Sequence, residues 1–257
     1  MPTFNVHFLP NQVEPSQLSG SVAVVIDLLR ASTTICQALA SGATCVVPFL
    51  EIDDARRAAE AFARREIVLG GERHGKLIEG FDLGNSPLEY TPEAVRNRRV
   101  LFTTTNGTRA LHHAEAAERT LVGCALNRQA VADAVAEAPR VDILCAGTDG
   151  EITGEDILAA GALAEALLEC GCDRRAVDWK LNERARSAWQ QWRGVVSAAA
   201  QSGSGLPRVL AEHLRSTAGG RNLIEIGHDA DLAACAELDT LIVVPELDRV
   251  SGEIRPA

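Results

Sequence analysis

Short apolar runs alternate with alanine-rich segments of helical periodicity along most of this chain of 257 residues. The runs predict strands near 3–9, 22–27, 44–49, 66–69, 99–104, 120–124, 141–146 and 240–244. The periodic segments predict helices near 33–41, 52–65, 91–97, 108–117, 127–137, 154–170, 178–201, 207–217 and 228–236. Such alternation is typical of an α/β fold, whose parallel strands are buried on both faces. We therefore expect a largely parallel or mixed sheet covered by helices on both faces.

The pattern changes after about residue 172, where a long helical segment follows without intervening strands. We predict an α/β core over 1–172 and an appended helical section over 173–257, whose final strand returns to the core. Apolar residues at helical spacing predict one buried stripe, formed by Val177, Leu181, Ala185, Ala188, Trp192, Val195 and Val196. All three tryptophans, Trp179, Trp189 and Trp192, lie in this section. Core packing explains them, and a homodimer contact is the alternative, because tryptophan is favoured at interface centres.

The composition limits the partners and the compartment. The chain has 35 acidic and 25 basic residues and a formal net charge of -10, which disfavours a nucleic-acid or anionic membrane surface. No stretch approaches the roughly 20 apolar residues of a membrane span. Seven cysteines without a CxxC pair predict a reducing cytoplasm. A small anionic ligand remains compatible with this composition.

Four segments rich in glycine and polar residues begin where predicted strands end, at 27–34, 70–87, 103–109 and 145–150. In open α/β sheets the ligand crevice lies outside the carboxyl ends of the strands. We therefore expect the four segments to form one composite site.

The first of these segments places Asp27 at the end of an apolar strand and then begins a helix. Ser32 or Thr33 is predicted to cap that helix, and the helix amides together with Arg30 would form a cradle for an anion. The alternative is that Ser32 only caps the helix and that Arg30 pairs with Asp27.

The segment GGERHGKLIEGFDLGNSP, residues 70–87, is predicted to form a polar loop between glycines. It offers the carboxylate of Glu72 and the guanidinium of Arg73. Such a loop is suited to cover a ligand.

The segment TTTNGTRAL supplies hydroxyls, an Asn-Gly turn and the start of a helix. Its candidate phosphate donors are Thr105, Asn106, Gly107 and Thr108. An ordinary tight turn with a helix cap is the alternative.

The segment after the strand at 141–146 contains Gly147, Thr148 and Asp149, and further acids follow at a helix start. Those acids could favour the helix dipole. Alternatively, oxygen ligands beside a phosphate cradle hold Mg²⁺, usually through one or two carboxylates with water and substrate oxygens.

Taken together, VVIDLLRASTTICQAL, GGERHGKLIEGFDLGNSP, TTTNGTRAL and ILCAGTDGEITGED resemble the 2-phosphosulfolactate phosphatase family. The four motifs occur in order over roughly residues 20 to 165. The resemblance implies a Mg²⁺-dependent phosphomonoesterase that releases 3-sulfolactate from a small anionic phosphoester, as in coenzyme M biosynthesis. A phosphatase for another small 2-phospho acid and a non-catalytic phosphoester-binding protein are the alternatives.

With this resemblance, each candidate residue receives an expected role. Mg²⁺ is expected to be held by Asp27 and Asp149, with Glu72 as a third carboxylate. Arg73 is expected to bind the sulfonate or carboxylate end of the substrate. The expected phosphate ligands are Arg30, Ser32, Thr33, Thr105, Asn106, Gly107, Thr108, Gly147 and Thr148.

Overall fold

The computed structural model describes residues 1–169 and 178–257, and its strands form one sheet. The strands are β1 (Thr3–His7), β2 (Val22–Ile26), β3 (Cys45–Pro48), β4 (Ile67–Arg73), β5 (Lys76–Leu77), β6 (Arg99–Thr103), β7 (Arg119–Val122), β8 (Arg140–Cys145), β9 (Lys180–Leu181), β10 (Pro245–Asp248) and β11 (Glu253–Pro256). Their order across the sheet is β5-β4-β6-β3-β11-β10-β7-β2-β8-β1-β9.

Two parallel groups make up most of the sheet. The first contains β4, β6 and β3, and the second contains β7, β2, β8, β1 and β9. The hairpin β10–β11 lies between the groups and is antiparallel to both of its neighbours. Because three antiparallel junctions separate them, the two groups run in opposite directions. The expectation of a mixed, largely parallel sheet is confirmed.

Helices flank this sheet, as expected for an α/β protein. They are α1 (Ala31–Ala40), α2 (Ile52–Ala59), α3 (Pro92–Val95), α4 (Gly107–His113), α5 (Arg128–Val135), α6 (Gly154–Glu169), α7 (Glu183–Ser202), α8 (Leu206–Ser216), α9 (Ala218–Glu225) and α10 (Ala230–Ala236). Every residue of β2 is buried, which is typical of a strand covered on both faces. Throughout the two described ranges, no helix is both long enough and apolar enough to cross a membrane.

The strand predicted at 240–244 is wrong, because the strand in this region begins only at Pro245. The run LIVV has the composition of a strand, but it lies beside the turn that precedes α5. There Leu241 N–H donates to the Leu126 carbonyl, and Asn127 Nδ2 donates to the Val243 carbonyl. Ile242 is 93% exposed. The run is therefore held by single hydrogen bonds rather than by a strand ladder.

The helix predicted from residue 178 begins later, at Glu183. Before it, β9 pairs with β1. The side chain of Asn182 then accepts hydrogen bonds from Ala185 N–H at 2.7 Å and from Val6 N–H at 3.2 Å. A single side chain thus caps α7 and attaches it to β1, which explains where the helix starts.

The apolar stripe predicted on this helix is largely buried, and four of its members are Ala185, Ala188, Trp192 and Val195. Val177 and the domain boundary predicted at 172 lie outside the described residues. Trp192 is fully buried, and its Nε1 donates to Glu165 Oε2 of α6 at 2.5 Å. Trp179 is also buried. These two tryptophans are therefore core residues.

Candidate active site

A pocket of about 330 Å³ lies where carboxyl-end loops of the two parallel groups meet. The loops after β2 and β8 come from one group, and those after β4 and β6 come from the other. The composite arrangement expected from the sequence is therefore present. Eight predicted site residues line this pocket: Asp27, Arg30, Glu72, Thr105, Asn106, Gly147, Thr148 and Asp149.

Asp27 follows β2 directly and is buried at the base of the pocket loops. Its Oδ1 accepts a hydrogen bond from Ala31 N–H at 3.2 Å. Burial, together with the nearby carboxylates of Glu72 and Glu155, raises the pKa of Asp27 from 3.8 to about 7, against the opposing effects of the Ala31 hydrogen bond and of Arg30. Asp27 therefore lies where a positive charge would be favourable.

Gly107, the first residue of α4, lies against Asp27 without lining the pocket itself. A Cβ atom at this position would lie 2.5 Å from Ala31 Cβ and 2.9 Å from Asp27 Oδ2. Glycine is therefore needed for the close approach of α4 to the start of α1. This close approach joins the two parallel groups at the pocket.

The loop predicted for Glu72 and Arg73 is wrong, because both residues belong to β4. Glu72 is 7% exposed, and its carboxylate connects the loop after β4 with the loop after β6. Oε1 accepts a hydrogen bond from Thr105 N–H at 2.7 Å. Oε2 accepts from Gly75 N–H at 2.7 Å and from Thr105 Oγ1 at 3.2 Å. A carboxylate offers about four acceptor positions, so Glu72 retains capacity for one further ligand.

The predicted cap of α1 by Ser32 or Thr33 is wrong, because the helix begins at Ala31 and Arg30 occupies the N-cap position. Ser32 Oγ instead accepts a hydrogen bond from Asp27 N–H at 2.8 Å, and Thr33 Oγ1 donates to a backbone carbonyl of the preceding loop. The amides of Ala31 and Ser32 both donate to Asp27. These amides are therefore not free to bind a phosphate.

Arg30 pairs with Asp231 of α10 rather than with Asp27. Arg30 Nη1 lies 2.6 Å from Asp231 Oδ2, and both side chains are 2% exposed. Arg30 Nη2 also donates to the Gly75 carbonyl at 3.5 Å. The guanidinium is therefore fixed from two sides at the pocket wall.

Arg73 does not line the pocket. Its guanidinium donates to the carbonyl oxygens of Glu72 and Leu50 and to Thr103 Oγ1, at 2.7 to 2.8 Å. The hydroxyl of Thr108 also points away, to the Thr104 carbonyl. Arg73 therefore contacts protein groups near the strand ends. It does not line the pocket, where the sulfonate or carboxylate end of a substrate was expected to meet it.

The loop after β8 forms the opposite rim. Asp149 is exposed there, with a φ of 51°. Its N–H donates to Asn106 Oδ1 at 3.2 Å, which links this loop to the one after β6. Asp149 and Asn106 are thus brought together, as the composite site requires.

Two buried acids at the start of α6, Glu155 and Asp156, support the pocket from below. Asp156 accepts hydrogen bonds from Leu28 N–H at 2.8 Å and from Gly147 N–H at 2.9 Å, so it clamps the ends of β2 and β8. Glu155 Oε1 accepts from Gly219 N–H at 3.1 Å, whereas Oε2 is buried without a partner in the described chain. Burial, with the charges of Asp27 and Glu155, raises the pKa of Asp156 well above its usual value.

One wall of the pocket was not predicted from the sequence. It is formed by α9 and the residue that follows it, through Gly219, Asn222, Leu223, Glu225 and Ile226. The Gly-Gly pair at its start indicates a loop rather than a helix. The available signal was Thr217, whose hydroxyl caps the helix by accepting from Gly220 N–H at 3.1 Å. Two further lining residues, His74 and Gly75, belong to the glycine-flanked segment at 70–87 but were not selected from it, and Asn85 of the polar turn in the same segment also lines the pocket.

The charges around the pocket favour a bound cation. The lining carries the carboxylates of Asp27, Glu72, Asp149 and Glu225, and Arg30 is its sole lysine or arginine among the described residues. Within the same part of the chain, no group of three or more His, Cys, Asp or Glu side chains is arranged to hold a metal ion. Mg²⁺ commonly uses only one or two protein carboxylates. Asp27 and Glu72 therefore fit Mg²⁺ without a three-carboxylate cluster.

The fold and the pocket define an α/β protein with a composite polar pocket at the ends of its strands. A model of the 2-phosphosulpholactate phosphatase family matches residues 7–249. The chain is 42% identical over 230 residues to a protein of Symbiobacterium thermophilum named "Probable 2-phosphosulfolactate phosphatase", covering 89% of this chain and 92% of that protein. Proteins of the same name from Prochlorococcus marinus (strain MIT 9313) and Caldanaerobacter subterraneus are 41% and 35% identical, over 90% and 92% of both chains. The chain belongs to the 2-phosphosulpholactate phosphatase family, a family of phosphoric monoester hydrolases acting on small anionic phosphoesters.

Proposed function

We propose that this chain is a Mg²⁺-dependent phosphomonoesterase that hydrolyses 2-phospho-3-sulfolactate to 3-sulfolactate and phosphate. The observation that carries the proposal is the gathering of Asp27, Glu72 and Arg30 in one pocket at the strand ends. The names of the relatives supply the substrate.

Electrostatics supports the metal part of the proposal. The proposed substrate has a phosphate, a carboxylate and a sulfonate, or roughly 3.5 to 4 negative charges near pH 7. The pocket lining offers four carboxylates against one permanent cation within the described residues. Such a pocket would repel the substrate unless a cation were bound. A divalent cation therefore reconciles the site with its ligand.

In this proposal, Asp27 and Glu72 would hold Mg²⁺, and the exposed carboxylate of Asp149 would add negative charge at the rim of the pocket. The ion would neutralise charge that develops on the phosphate oxygens during hydrolysis. Burial of Asp27 and the three hydrogen bonds to Glu72 keep these carboxylates in place before substrate arrives.

The remaining groups of the chain bind and orient the substrate. Arg30 donates to phosphate oxygens, because its guanidinium is fixed at the wall and retains unused N–H groups. The side chains of Asn106, after β6, and Thr148, after β8, supply neutral donors from the two parallel groups, whereas the N–H groups of Thr105 and Gly147 already donate to Glu72 and Asp156. Neutral donors add binding without further charge, which leaves the charge balance to Arg30 and the cation.

The test is a phosphate-release screen on 2-phosphosulfolactate, phospholactate and phosphoglycolate, with Mg²⁺ and with excess EDTA. We expect release from 2-phosphosulfolactate with the highest kcat/KM, and loss of release in EDTA that added Mg²⁺ restores. Full turnover after metal removal would refute the metal requirement. Faster hydrolysis of another ester would assign the chain to a different small 2-phospho acid.

Three broader parts of the proposal concern the setting of the enzyme. We propose a cytoplasmic location, consistent with the free cysteines of the described residues, and a role in coenzyme M biosynthesis. We also propose a homodimer, although burial of Trp179 and Trp192 removes two of the residues expected at its interface. Light scattering of the purified chain tests the homodimer.

A further inference from the structure

Asp231, a residue of α10, connects three segments around the candidate active site. It is 1% exposed. Oδ2 accepts a hydrogen bond from Arg30 Nη1 at 2.6 Å, and Oδ1 accepts one from Ser86 Oγ at 2.6 Å. His228 Nδ1 lies 3.5 Å from Oδ2. Ser86 follows Asn85, which lines the pocket, so two of the three contacts lead directly to the pocket wall.

We propose that Asp231 is a positioning residue that holds the guanidinium of Arg30 in the orientation needed to bind the phosphate of the substrate. The proposal rests on the proposed function, because it assigns Arg30 to the phosphate. It makes α10 a part of the active site, although Asp231 and Arg30 are 201 residues apart in the sequence.

The need for such a residue follows from the chemistry of arginine. Its side chain has many rotamers, and fixing one of them costs conformational entropy. The guanidinium has five N–H donors in a rigid plane, and the hydrogen bonds of Arg30 to Asp231 and Gly75 use two of them among the described residues. A carboxylate at one edge of the plane therefore fixes its direction and leaves donors at the other edges for an anion.

The charge of Asp231 also matters, because Arg30 is buried. A buried cation without a partner is strongly unfavourable, whereas a hydrogen-bonded ion pair is tolerated. Among the described residues, Arg30 forms its ion pair with Asp231 and not with Asp27, whose Oδ1 accepts from Ala31 N–H at the start of α1. Asp231 therefore neutralises Arg30 and leaves Asp27 available for other ligands.

The test is a double-mutant cycle with Arg30→Met, Asp231→Asn and the double variant, in the full-length protein. Inorganic phosphate is the binding probe, measured by calorimetry with Mg²⁺, and kcat and KM are measured on 2-phosphosulfolactate. We expect Asp231→Asn to weaken phosphate binding by about tenfold and to lower kcat/KM by roughly a hundredfold, as a misplaced binding group does. In the Arg30→Met background, the same change should alter phosphate binding by less than about threefold.

A matched control separates positioning from the general loss of a buried acid. Asp142 is 3% exposed and ion-paired to Arg140, but it lies near the start of β8, at the opposite end from the pocket. We expect Asp142→Asn to lower Tm while kcat/KM stays within about threefold of wild type. A hundredfold loss of kcat/KM in this control would overturn the proposal, because the loss of any buried charge would then be enough to lower activity.

Two further outcomes would also overturn it. One is wild-type phosphate affinity in folded Asp231→Asn. The other is a loss of phosphate affinity on Asp231→Asn that is equally large in the wild-type and Arg30→Met backgrounds. If Asp231→Asn does not fold, Ser86→Ala replaces it, since this change removes one anchor of Asp231 and leaves no charge unpaired. We then expect about a threefold to tenfold loss of phosphate affinity, and no loss would refute the proposal. Phosphate binding is measured without turnover. Failure of the chain to hydrolyse any of the three esters can therefore be distinguished from failure of the proposed role of Asp231.

Discussion

Replacement of Asp27 by asparagine tests the link between the charge of the pocket and the stability of the fold. Asparagine keeps an oxygen that can accept the hydrogen bond from Ala31 N–H, but it cannot carry a negative charge. The pKa of Asp27 is raised from 3.8 to about 7, so the folded protein holds this proton more tightly than the unfolded chain. Its contribution to stability is therefore fully present below pH 3.8 and is lost as the pH rises through 7.

The size of the effect follows from that gap in pKa. At roughly 1.4 kcal/mol for each pH unit, the gap corresponds to about 4 kcal/mol above pH 7. Without metal at pH 8, we expect Asp27→Asn to be more stable than wild type by up to about 4 kcal/mol. For a chain of this size, that is a rise in Tm of roughly 8 °C. The same substitution should abolish most turnover, since it removes a proposed Mg²⁺ ligand.

The assay is thermal unfolding of both proteins in EDTA at pH 4, 6 and 8. The difference in Tm should be near zero at pH 4 and should grow as the pH rises, because the unfolded chain releases the Asp27 proton above pH 3.8 whereas the folded protein keeps it up to about pH 7. Mg²⁺ at pH 8 should raise the Tm of wild type and not that of the variant. Asp149→Asn, which removes an exposed carboxylate of the same pocket, controls for the change in net charge. A Tm difference that does not vary with pH would refute the argument.

Three other substitutions, one of them with a matched control, test separate features of the structure. Gly107→Ala should force α4 away from Asp27 and lower kcat/KM by roughly a hundredfold. The control is Gly194→Ala on an open face of α7, which should leave activity unchanged and stabilise the helix by up to about 1 kcal/mol. Arg73→Ala should lower Tm and affect 2-phosphosulfolactate and a simple phosphomonoester equally, because Arg73 contacts the protein rather than the pocket; a selective loss on the sulfonated substrate would contradict this. Burial would raise the pKa of Asp142, but hydrogen bonds to its carboxylate outweigh burial and lower this pKa. The ionised carboxylate therefore stabilises the folded protein above the usual pKa of aspartate, and this stabilisation is lost as the pH falls through the lowered pKa. Asp142→Asn should therefore flatten the fall of Tm below about pH 4 in acid unfolding.

Much of the site could be predicted because its residues directly follow strands with clear local patterns. The apolar run before Asp27 and the run before Gly147 both form strands of the second parallel group. The run before Thr105 forms β6 of the first group. Apolar composition and flanking polar residues are local properties, so these loops could be recognised without knowledge of the partners of each strand.

The residues that escaped prediction depend on contacts between distant segments. Asp231 carries no local signal for its pairing with Arg30, because α10 joins the site only after the chain has folded back. The same holds for Asn222 on α9, which lines the pocket next to a Gly-Gly pair that indicates a loop. The guanidinium of Arg73 was expected in the pocket from its neighbours in the sequence, and its direction is decided by acceptors at Leu50 and Thr103.

The α/β class and the loops that carry the polar groups follow from local sequence patterns, because periodicity and strand-end composition are set by neighbouring residues. The order of the strands is set by long-range pairing and has no local signal. The hairpin β10–β11 lies between β3 and β7, so the two parallel groups run in opposite directions on either side of it. A single residue pair joins the hairpin to each of these strands. In a flat sheet, the carboxyl ends of two opposed groups would lie at opposite edges. Here they meet at one pocket, where Gly107 lets α4 approach Asp27, and this meeting depends on contacts between segments far apart in the chain.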